Sequence, residues 1–328
     1  MTRDDPFGGM ASSRLARTYY VDGGGNRDSK LRNLLREDYG SSSLYLRMFQ
    51  EDVGHMLPWR SGSSADARFV VTLEGADDST RQLVLDSLPG RNGPPRILED
   101  GIRDFVEATS RDLTLGPSHF EVVFFSDDAG DLRSFAFEPL MAKSVSRSRR
   151  RVIQMVPAEP GLPTRRGIPF VELDPARIIT IELPRPLRRA LSKAVPLWRA
   201  AANQSLRGTD LLIDHTRGYD FKVQQRLIAD QLLRSTAKIG WSGRDLLTEA
   251  TLDPYKVARH LNFVSFQIEV RNAIVAGLQR GLDLAGTKIG FKVKLGLDQV
   301  VTLDDVEQAK ADLNAGTQHI GALMRIER

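Results

Sequence analysis

The sequence of 328 residues predicts an α+β protein that is mainly helical. An amphipathic helical pattern begins near residue 97, and short β-rich runs separated by Gly and Pro fill residues 119–183. A helical pattern of unusual length then occupies residues 253–284. These three observations predict a small β-rich unit within an otherwise helical chain that is long enough to bury a substantial core.

The first part of the chain is predicted to combine a flexible arm with an α/β region. Residues 1–30 are rich in Gly, Ser, Asp and Arg, which is typical of a flexible N-terminal arm. Residues 31–118 contain short helical patterns around an alternating strand at 68–75. The region ends in the clearest helix of the chain, which Gly116 terminates and whose apolar face comprises Leu98, Ile102, Phe105, Val106, Thr109 and Leu113.

Residues 119–183 are predicted to be a β-rich unit. It opens with a β-hairpin, in which the runs HFEVVFF and LRSFAFEPL flank the turn SDDAG. The paired acids Asp127 and Asp128 are explained by that turn. Three further short strands follow, namely RVIQMVP, GIPFVEL and ARIITIEL.

The remaining chain is predicted to be helical before a C-terminal strand and helix. Residues 184–290 begin with a helix that carries Pro186 in its first turn. The long helix is predicted to start at Asp253 and to align Leu261, Val264, Ile268, Val275, Leu278 and Leu282 on one face. Residues 291–328 contain an alternating strand and a helix, and the pattern of that helix predicts a capping box of Thr302 and Asp305 and a terminating Gly316.

Composition and motifs exclude several kinds of chemistry. The absence of Cys excludes disulfides, iron–sulfur clusters and thiol nucleophiles. No apolar run approaches the roughly 18 residues that cross a bilayer, so no membrane partner is expected. The sequence contains no phosphate-binding P-loop and no G-x-S-x-G elbow, and its five His lack metal-ligand spacing. We therefore expect no catalytic residue, no cofactor and no metal site.

Positive charge is concentrated in residues 141–210. Fourteen Lys and Arg against five Asp and Glu leave this segment with a net charge of +9, whereas the whole chain carries +4. Twelve of the fourteen are Arg, the side chain that suits phosphate and carboxylate partners. One interpretation is a solvated surface. The other is a surface for the nucleic-acid backbone or an acidic protein, formed by Arg147, Arg149, Arg150, Arg151, Arg165, Arg166, Arg185, Arg188 and Arg189.

A second group of residues leaves a nuclease interpretation open. Asp210, Asp214, Asp220 and Lys222 resemble the acids and lysine of a metal-dependent nuclease core, in which carboxylates hold Mg²⁺. That core requires the D-x-K run on a strand, whereas the run after Asp220 has helical periodicity. An N-cap at Asp220 explains the pattern as well.

The order of motifs from about residue 97 onward resembles that of the tailed-bacteriophage portal proteins. The amphipathic helix ends in DLTLG, and the hairpin HFEVVFFSDDAGDLRSFAFEPL follows it. The segment ELDPARIITIELP then leads into helices, one of them very long, and the last helix closes with AKADLNAGTQHIGALMR. The resemblance covers about two thirds of the chain.

The resemblance implies a portal-like fold and a non-enzymatic subunit of a homo-oligomeric ring, expected to be a dodecamer, at one capsid vertex. Residues 31–118 would be wing-like, 119–183 clip-like, 184–290 the stem and channel region, and 291–328 would face the crown. Such a ring is a virion component assembled in the host cytoplasm. It provides a passage for double-stranded DNA and docks the packaging motor (terminase), the neck or adaptor and the major capsid protein.

Under this interpretation the nine arginines act collectively around the ring axis, on the DNA backbone or on acidic partner loops. Two alternatives remain open. The first is the metal-dependent nuclease, and the second is a monomeric nucleic-acid-binding module that uses Arg147, Arg149, Arg150 and Arg151.

Overall fold

A computed structural model describes eleven ranges of the chain: residues 2–3, 44–57, 69–89, 97–148, 151–156, 161–165, 167–198, 230, 233–243, 253–318 and 320–323. They form helices and antiparallel sheets, which confirms the α+β class. The chain divides into two compact units. Unit 1 comprises Met1–Gly40, Val70–Glu182 and Ala273–Asp298, and unit 2 comprises Ser41–Phe69, Leu183–Asn272 and Gln299–Arg328.

Unit 1 contains a four-stranded antiparallel sheet centred on strand β3 (Ser118–Ser126). The hairpin partner β4 (Leu132–Leu140) pairs along one side of β3, as the sequence predicts. On the other side β3 pairs with β9 (Ile178–Ile181) at one end and with β1 (Thr2–Arg3) at the other. Asp127 organises the hairpin turn, because its carboxylate accepts hydrogen bonds from the backbone of Ala129 and Asp131.

A second sheet and a two-stranded ribbon complete the β-structure of unit 1. The second sheet has the order β5-β6-β8-β7. Its strands are β5 (Val145–Arg147), β6 (Val152–Met155), β7 (Thr164–Arg165) and β8 (Ile168–Leu173). The ribbon pairs β2 (Val70–Glu74) with β10 (Lys294–Asp298). Residues 119–183 are therefore β-rich, as predicted, but they belong to two sheets.

The core of unit 1 lies between the first sheet and helix α3 (Leu98–Leu113). The predicted apolar face of α3 is confirmed, since its six members are at most 4% exposed. The Phe105 ring lies 4.8 Å from that of Phe120 and 6.0 Å from that of Phe137. Helix α2 (Asp78–Ser87) also belongs to this unit, and its N-cap Asp77 accepts from the backbone N–H of Thr80 at 2.8 Å.

Unit 2 is built around an aromatic cluster. Phe49 lies on α1 (Leu44–Gly54), and its ring is 4.5 Å from that of Trp198 and 5.3 Å from that of Trp241. Trp198 lies on α4, which is helical over residues 185–198. The indole N–H of Trp241 donates to the carboxylate of Asp52 at 2.9 Å, so the polar edge of this ring is satisfied inside the cluster.

Helix α5 (Asp253–Ile289) contributes to both units, because residues up to Asn272 belong to unit 2 and residues from Ala273 belong to unit 1. In unit 2, Val257, Leu261, Val264 and Ile268 of α5 pack with Val306 and Ala309 of helix α6 (Leu303–Ala315) and with Leu323 of α7 (Ile320–Leu323). The capping box of Thr302 and Asp305 begins α6 and the left-handed Gly316 ends it, as predicted.

Arg259 of α5 is buried without a carboxylate partner among the described residues, and it is only 3% exposed. Its guanidinium donates to the carbonyl oxygens of Leu233 and Trp241 and to the hydroxyl of Thr236, at 2.6–3.2 Å. Leu233 lies among the last helical residues before the turn at 236–239, and carbonyl groups at the C-terminal end of a helix carry partial negative charge. Arg259 therefore joins α5 to residues 233–241 within unit 2.

The observed α5 is longer than the sequence predicts, and its register differs at one position. It has 37 residues, or about 55 Å, and it extends to residue 289 where the prediction ended at 284. Val275 is half-buried, while the neighbouring Ile274 is fully buried. Successive residues of a helix are about 100° apart, so Ile274 lies on a different side of α5 from Val275, and this is the side that packs in unit 1, to which α5 belongs from Ala273 onward.

The two units cut across the consecutive segments predicted from the sequence. The predicted helical region 184–290 divides after Asn272, and the C-terminal region 291–328 divides after Asp298. The reason is long-range pairing, since β10 joins β2 in unit 1 while α6 packs against the first half of α5 in unit 2. The predicted arm, residues 1–30, lies outside the described residues except for Thr2 and Arg3.

Two glycines let α5 approach the first sheet of unit 1 closely. A Cβ on Gly277 would collide with the side chain of Ile181, and a Cβ on Gly281 would collide with the ring of Phe137. The Phe137 ring cannot move aside easily, because it is buried and in edge contact with the Phe135 ring at 5.5 Å. Beside these glycines, the Gln279 side chain accepts from the N–H of Leu295 and donates to the carbonyl of Val293, which ties α5 to the ribbon.

We expect Gly281→Ala to destabilise the protein although alanine favours helices. Crowding a packed core costs about 1–3 kcal/mol, whereas replacing a helical glycine gains at most about 1 kcal/mol. Chemical denaturation should show a lower midpoint for the variant. Gly116→Ala is the matched control, because a Cβ there meets nothing within 4 Å. An unchanged or higher midpoint for Gly281→Ala would contradict the close packing described here.

Candidate polyanion-binding surfaces

The structure describes six of the nine arginines predicted to bind a polyanion, and it separates them between the two units. In unit 1 they are Arg147, Arg151 and Arg165, and in unit 2 they are Arg185, Arg188 and Arg189. Arg149, Arg150 and Arg166 lie outside the described residues. The single basic segment of the sequence therefore contributes arginines to both units.

The first group, called the hairpin surface, comprises Arg147, Arg151 and Arg165 on or beside the hairpin of β5 and β6. Arg151 and Arg165 lie on the face that carries Ser146 and Glu172, whereas Arg147 lies on the opposite face. Arg147 ends β5 opposite Val152 of β6, and Arg151 directly precedes β6, so both lie at the same end of this hairpin. The N–H of Ser148 donates to the carbonyl of Arg151 at 2.8 Å across the turn. Arg165 of β7 donates to the Ser146 hydroxyl at 2.9 Å and so lies beside the same hairpin. All three side chains are exposed.

The arginines of the hairpin surface differ in their availability to a partner. Arg151 makes a two-point ion pair with Glu172, with nitrogen–oxygen distances of 2.9 and 2.8 Å. Hydrogen bonding to Arg151 lowers the pKa of the Glu172 carboxyl, so that carboxylate stays ionised and balances the arginine. Arg147 and Arg165 bond to neutral hydroxyl groups instead. Their positive charges are not offset by these contacts.

The second surface, the helix groove, lies along α4. Arg185, Arg189 and Lys193 are spaced four residues apart, which stacks them on one side of the helix. Leu191, Ala194 and Trp198 occupy the buried side. The groove has a volume of about 1160 Å³, and its other wall includes Arg234 and Lys238. Arg188 is exposed on the same helix.

The charge of the helix groove is strongly unbalanced. Its described lining contains five cationic side chains and one carboxylate, that of Asp230. Arg234 and Lys238 escaped the sequence prediction because they fall outside the basic segment, although their four-residue spacing matches that of Arg185 and Arg189. Only folding brings these two pairs into one groove.

A cleft beside the hairpin surface, the Thr180 cleft, gathers polar side chains from four elements of unit 1, namely β3, β5, β9 and α5. The hydroxyl of Thr180 on β9 receives a hydrogen bond from Arg147 at 2.9 Å and lies 3.0 Å from Nδ1 of His119 on β3. Arg280 of α5 donates to the Thr180 carbonyl at 2.9 Å. Glu182 also lines the cleft, whose volume is about 570 Å³.

His119 is held neutral in this cleft. Burial lowers the pKa of its imidazole, and the positive charge of Arg147 lowers the pKa further, while Glu182 acts in the opposite direction. The side chain is only 5% exposed, so a charged imidazole would be poorly solvated. His119 was considered in the sequence only as one of five scattered histidines, and no local motif marks it.

The structure places no metal centre in the part of the chain that it describes. No group of three or more His, Asp or Glu side chains that could hold a metal ion is found among those residues. The four residues of the nuclease interpretation, Asp210, Asp214, Asp220 and Lys222, lie outside the described ranges. That interpretation therefore remains a hypothesis from the sequence alone.

Comparison with known proteins assigns no family to this chain. No protein-family model matches it, and no curated protein sequence matches it. Among the described helices, none is sufficiently long and apolar to span a bilayer.

The pKa shift of His119 predicts a loss of stability in mild acid. The unfolded chain binds a proton near the ordinary histidine pKa of about 6.5, whereas the folded state binds it only at lower pH. The contribution of His119 to the free energy of unfolding is complete above a pH of about 6.5. Below that pH it declines, by at most about 1.4 kcal/mol per pH unit.

His119→Gln should therefore reduce the decrease in the urea midpoint between pH 7.5 and pH 5.5. His260, whose pKa burial also lowers, remains in the variant and keeps its share of the decrease. An identical decrease in the variant and in the unmodified protein would contradict a neutral, buried His119.

Proposed function

We propose that this chain is a non-enzymatic, portal-type structural subunit of a tailed bacteriophage that assembles into a homo-oligomeric ring and binds the backbone of double-stranded DNA. The resemblance of its motif order to portal proteins supports the family and the ring. The helix groove is the observation that carries the DNA-binding part of the proposal. An extended polyanion is the partner that its charge fits best.

The helix groove holds like charges close together, and their mutual repulsion costs free energy. Arg185, Arg189 and Lys193 are neighbours on one helix face, and like charges at this spacing repel each other. No described carboxylate forms an ion pair with any of the three, and Asp230 is the one acid of the described lining. A row of phosphates supplies regularly spaced negative charge that relieves this repulsion and releases counterions into solution.

The predominance of arginine agrees with backbone contact without base readout. A guanidinium offers several donors in a plane, and phosphate oxygens are its natural acceptors. Contacts of this type position a protein on the duplex and carry no sequence information, as a passage for any DNA requires. The groove also contains no described aromatic side chain on which a single-stranded base could stack.

Assembly into a ring would multiply the positive electrostatic field of the helix groove. Each subunit of a dodecamer would repeat the same groove about the axis, and the summed field would exceed that of one chain. The partners proposed for such a ring are the packaging motor (terminase), the neck or adaptor and the major capsid protein, in a virion assembled in the host cytoplasm. The hairpin surface, where Arg147 and Arg165 form no ion pair within the described residues, is proposed to contact DNA or an acidic loop of one of these proteins.

We expect the purified full chain to form a discrete ring. Light scattering should give a mass that is a large multiple of 36.5 kDa, and negative-stain images should show one rotational symmetry. A protein that stays monomeric at micromolar concentration would contradict the ring and favour a monomeric nucleic-acid-binding module.

We expect DNA binding to depend on salt through the helix groove. The triple variant Arg185→Gln, Arg189→Gln, Lys193→Gln should bind duplex DNA more weakly, because three phosphate contacts are lost. The slope of log K against log salt should become shallower by about 3, since each contact contributes about 0.9. Fluorescence anisotropy with a labelled duplex, measured from 50 to 200 mM salt, provides the slope.

A matched control removes the same charge elsewhere. Arg81→Gln, Lys288→Gln and Lys292→Gln replace three exposed cations outside both basic surfaces and should leave the slope unchanged. If the control and the groove variant lose the same slope, net charge alone governs binding and the groove is not the site. Metal-dependent cleavage of the duplex in these samples would contradict the non-enzymatic role and favour the nuclease interpretation.

A further inference from the structure

We infer that the Thr180 cleft of unit 1 binds a terminal phosphate group, either free phosphate or a phosphomonoester. This site is distinct from the helix groove and does not depend on the proposed ring. It uses His119, Arg147, Thr180 and Arg280, which come from β3, β5, β9 and α5.

Thr180 positions both arginines of the cleft. Arg147 is fixed by its bond to the Thr180 hydroxyl and Arg280 by its bond to the Thr180 carbonyl, each at 2.9 Å. The two guanidinium groups therefore reach one residue from two elements that are far apart in sequence. Because both bonds go to neutral oxygens, two positive charges meet in one cleft without being balanced there by these contacts.

Each guanidinium keeps most of its hydrogen-bonding capacity. A guanidinium carries five N–H donors, and the bonds to Thr180 use one from each arginine. Within the described ranges, neither Arg147 nor Arg280 forms an ion pair with a carboxylate. Arg133 and Arg151 of the same unit differ in this respect, because Asp127 and Glu172 occupy their donors.

The number and direction of these donors favour phosphate over a carboxylate. One arginine suffices to satisfy both oxygens of a carboxylate, as Arg151 does for Glu172. Two arginines that approach from β5 and from α5 can instead share the three or four oxygens of a terminal phosphate. A backbone diester has only two non-bridging oxygens and fits this arrangement less well.

His119 and Glu182 further restrict which ligand the cleft can bind. If the Thr180 hydroxyl accepts from Arg147 and donates to Nδ1 of His119, then Nε2 of the neutral imidazole carries the proton and becomes a further donor. The Glu182 carboxylate lines the same cleft and disfavours a second anionic group. The cleft therefore suits a single phosphate group.

Titration calorimetry at constant ionic strength, with chloride as the balancing anion, tests this inference. Inorganic phosphate and glycerol 3-phosphate are the two sources of a terminal phosphate, and dimethyl phosphate represents a backbone diester. We expect the first two to bind and dimethyl phosphate to bind at least tenfold more weakly. No binding of either terminal phosphate would overturn the inference, and equal binding of the diester would assign the cleft to a nucleic-acid backbone.

Arg280→Gln should weaken phosphate binding by about tenfold to 100-fold, because it removes one charged hydrogen-bonding partner. Arg133→Gln is the control, since it removes an exposed arginine of the same unit that is ion-paired with Asp127, and it should leave the affinity unchanged. Glu182→Gln should tighten binding, because it removes a negative charge from the cleft. Equal losses in the Arg280 and Arg133 variants would contradict the site.

Arg280→Gln also separates this inference from the proposed function. Arg280 is outside the helix groove and outside the nine arginines predicted to bind a polyanion, so the salt slope of DNA binding should not change in this variant. Arg280 and the control residue Arg133 are both exposed, so thermal denaturation should show that each variant still folds. An unchanged phosphate affinity in a folded Arg280→Gln would overturn the inference whatever the result for DNA.

Discussion

The unbroken backbone hydrogen-bond ladder of helix α5 is the constraint on which both units depend. The helix presents Val257, Leu261 and Val264 to the core of unit 2 and Ile274, Leu278 and Leu282 to unit 1. A helix of 37 residues has to meet different neighbours along its length, and its composition changes accordingly. The first half uses bulky aliphatic side chains and two buried arginines, Arg259 and Arg271, whereas the second half uses glycines that let a sheet approach the backbone.

Close approach in unit 1 also creates the polar site. With Gly277 and Gly281 packed against Ile181 and Phe137, the neighbouring Arg280 lies within reach of the Thr180 carbonyl. The Thr180 cleft is therefore a consequence of the same packing that stabilises unit 1. A larger side chain at either glycine would shift α5 away from β9 and would weaken the cleft as well as the core.

Arginine serves two physical roles in this protein. Arg259 is buried, and its charge is solvated by carbonyl and hydroxyl oxygens, so it acts as a structural connector within unit 2. Arg185 and Arg189 of the helix groove remain exposed without described ion pairs, which is favourable only because water and counterions solvate them. The exposed arginines are available to a partner, whereas the buried Arg259 is not. Burial and pairing, and not the count of basic residues, separate these roles.

The sequence by itself determined the local elements of this protein. The buried face of α3, the hairpin from β3 to β4, the capping box of α6 and its terminating Gly316 all follow from spacings within about 20 residues, and each is confirmed. The sequence also identified the basic segment, because charge composition needs no structure. Its portal resemblance stays a proposal.

Only the tertiary structure decided which elements meet. Periodicity shows that a face is apolar but not what covers it, so neither the pairing of β2 with β10 nor the division of α5 between two units was predictable. For the same reason the sequence could not show that Glu172 balances Arg151, that Arg234 and Lys238 join the helix groove, or that Arg280 meets Arg147 at Thr180. Each of these depends on contacts between residues far apart in the chain, whose energy exists only once the cores have packed.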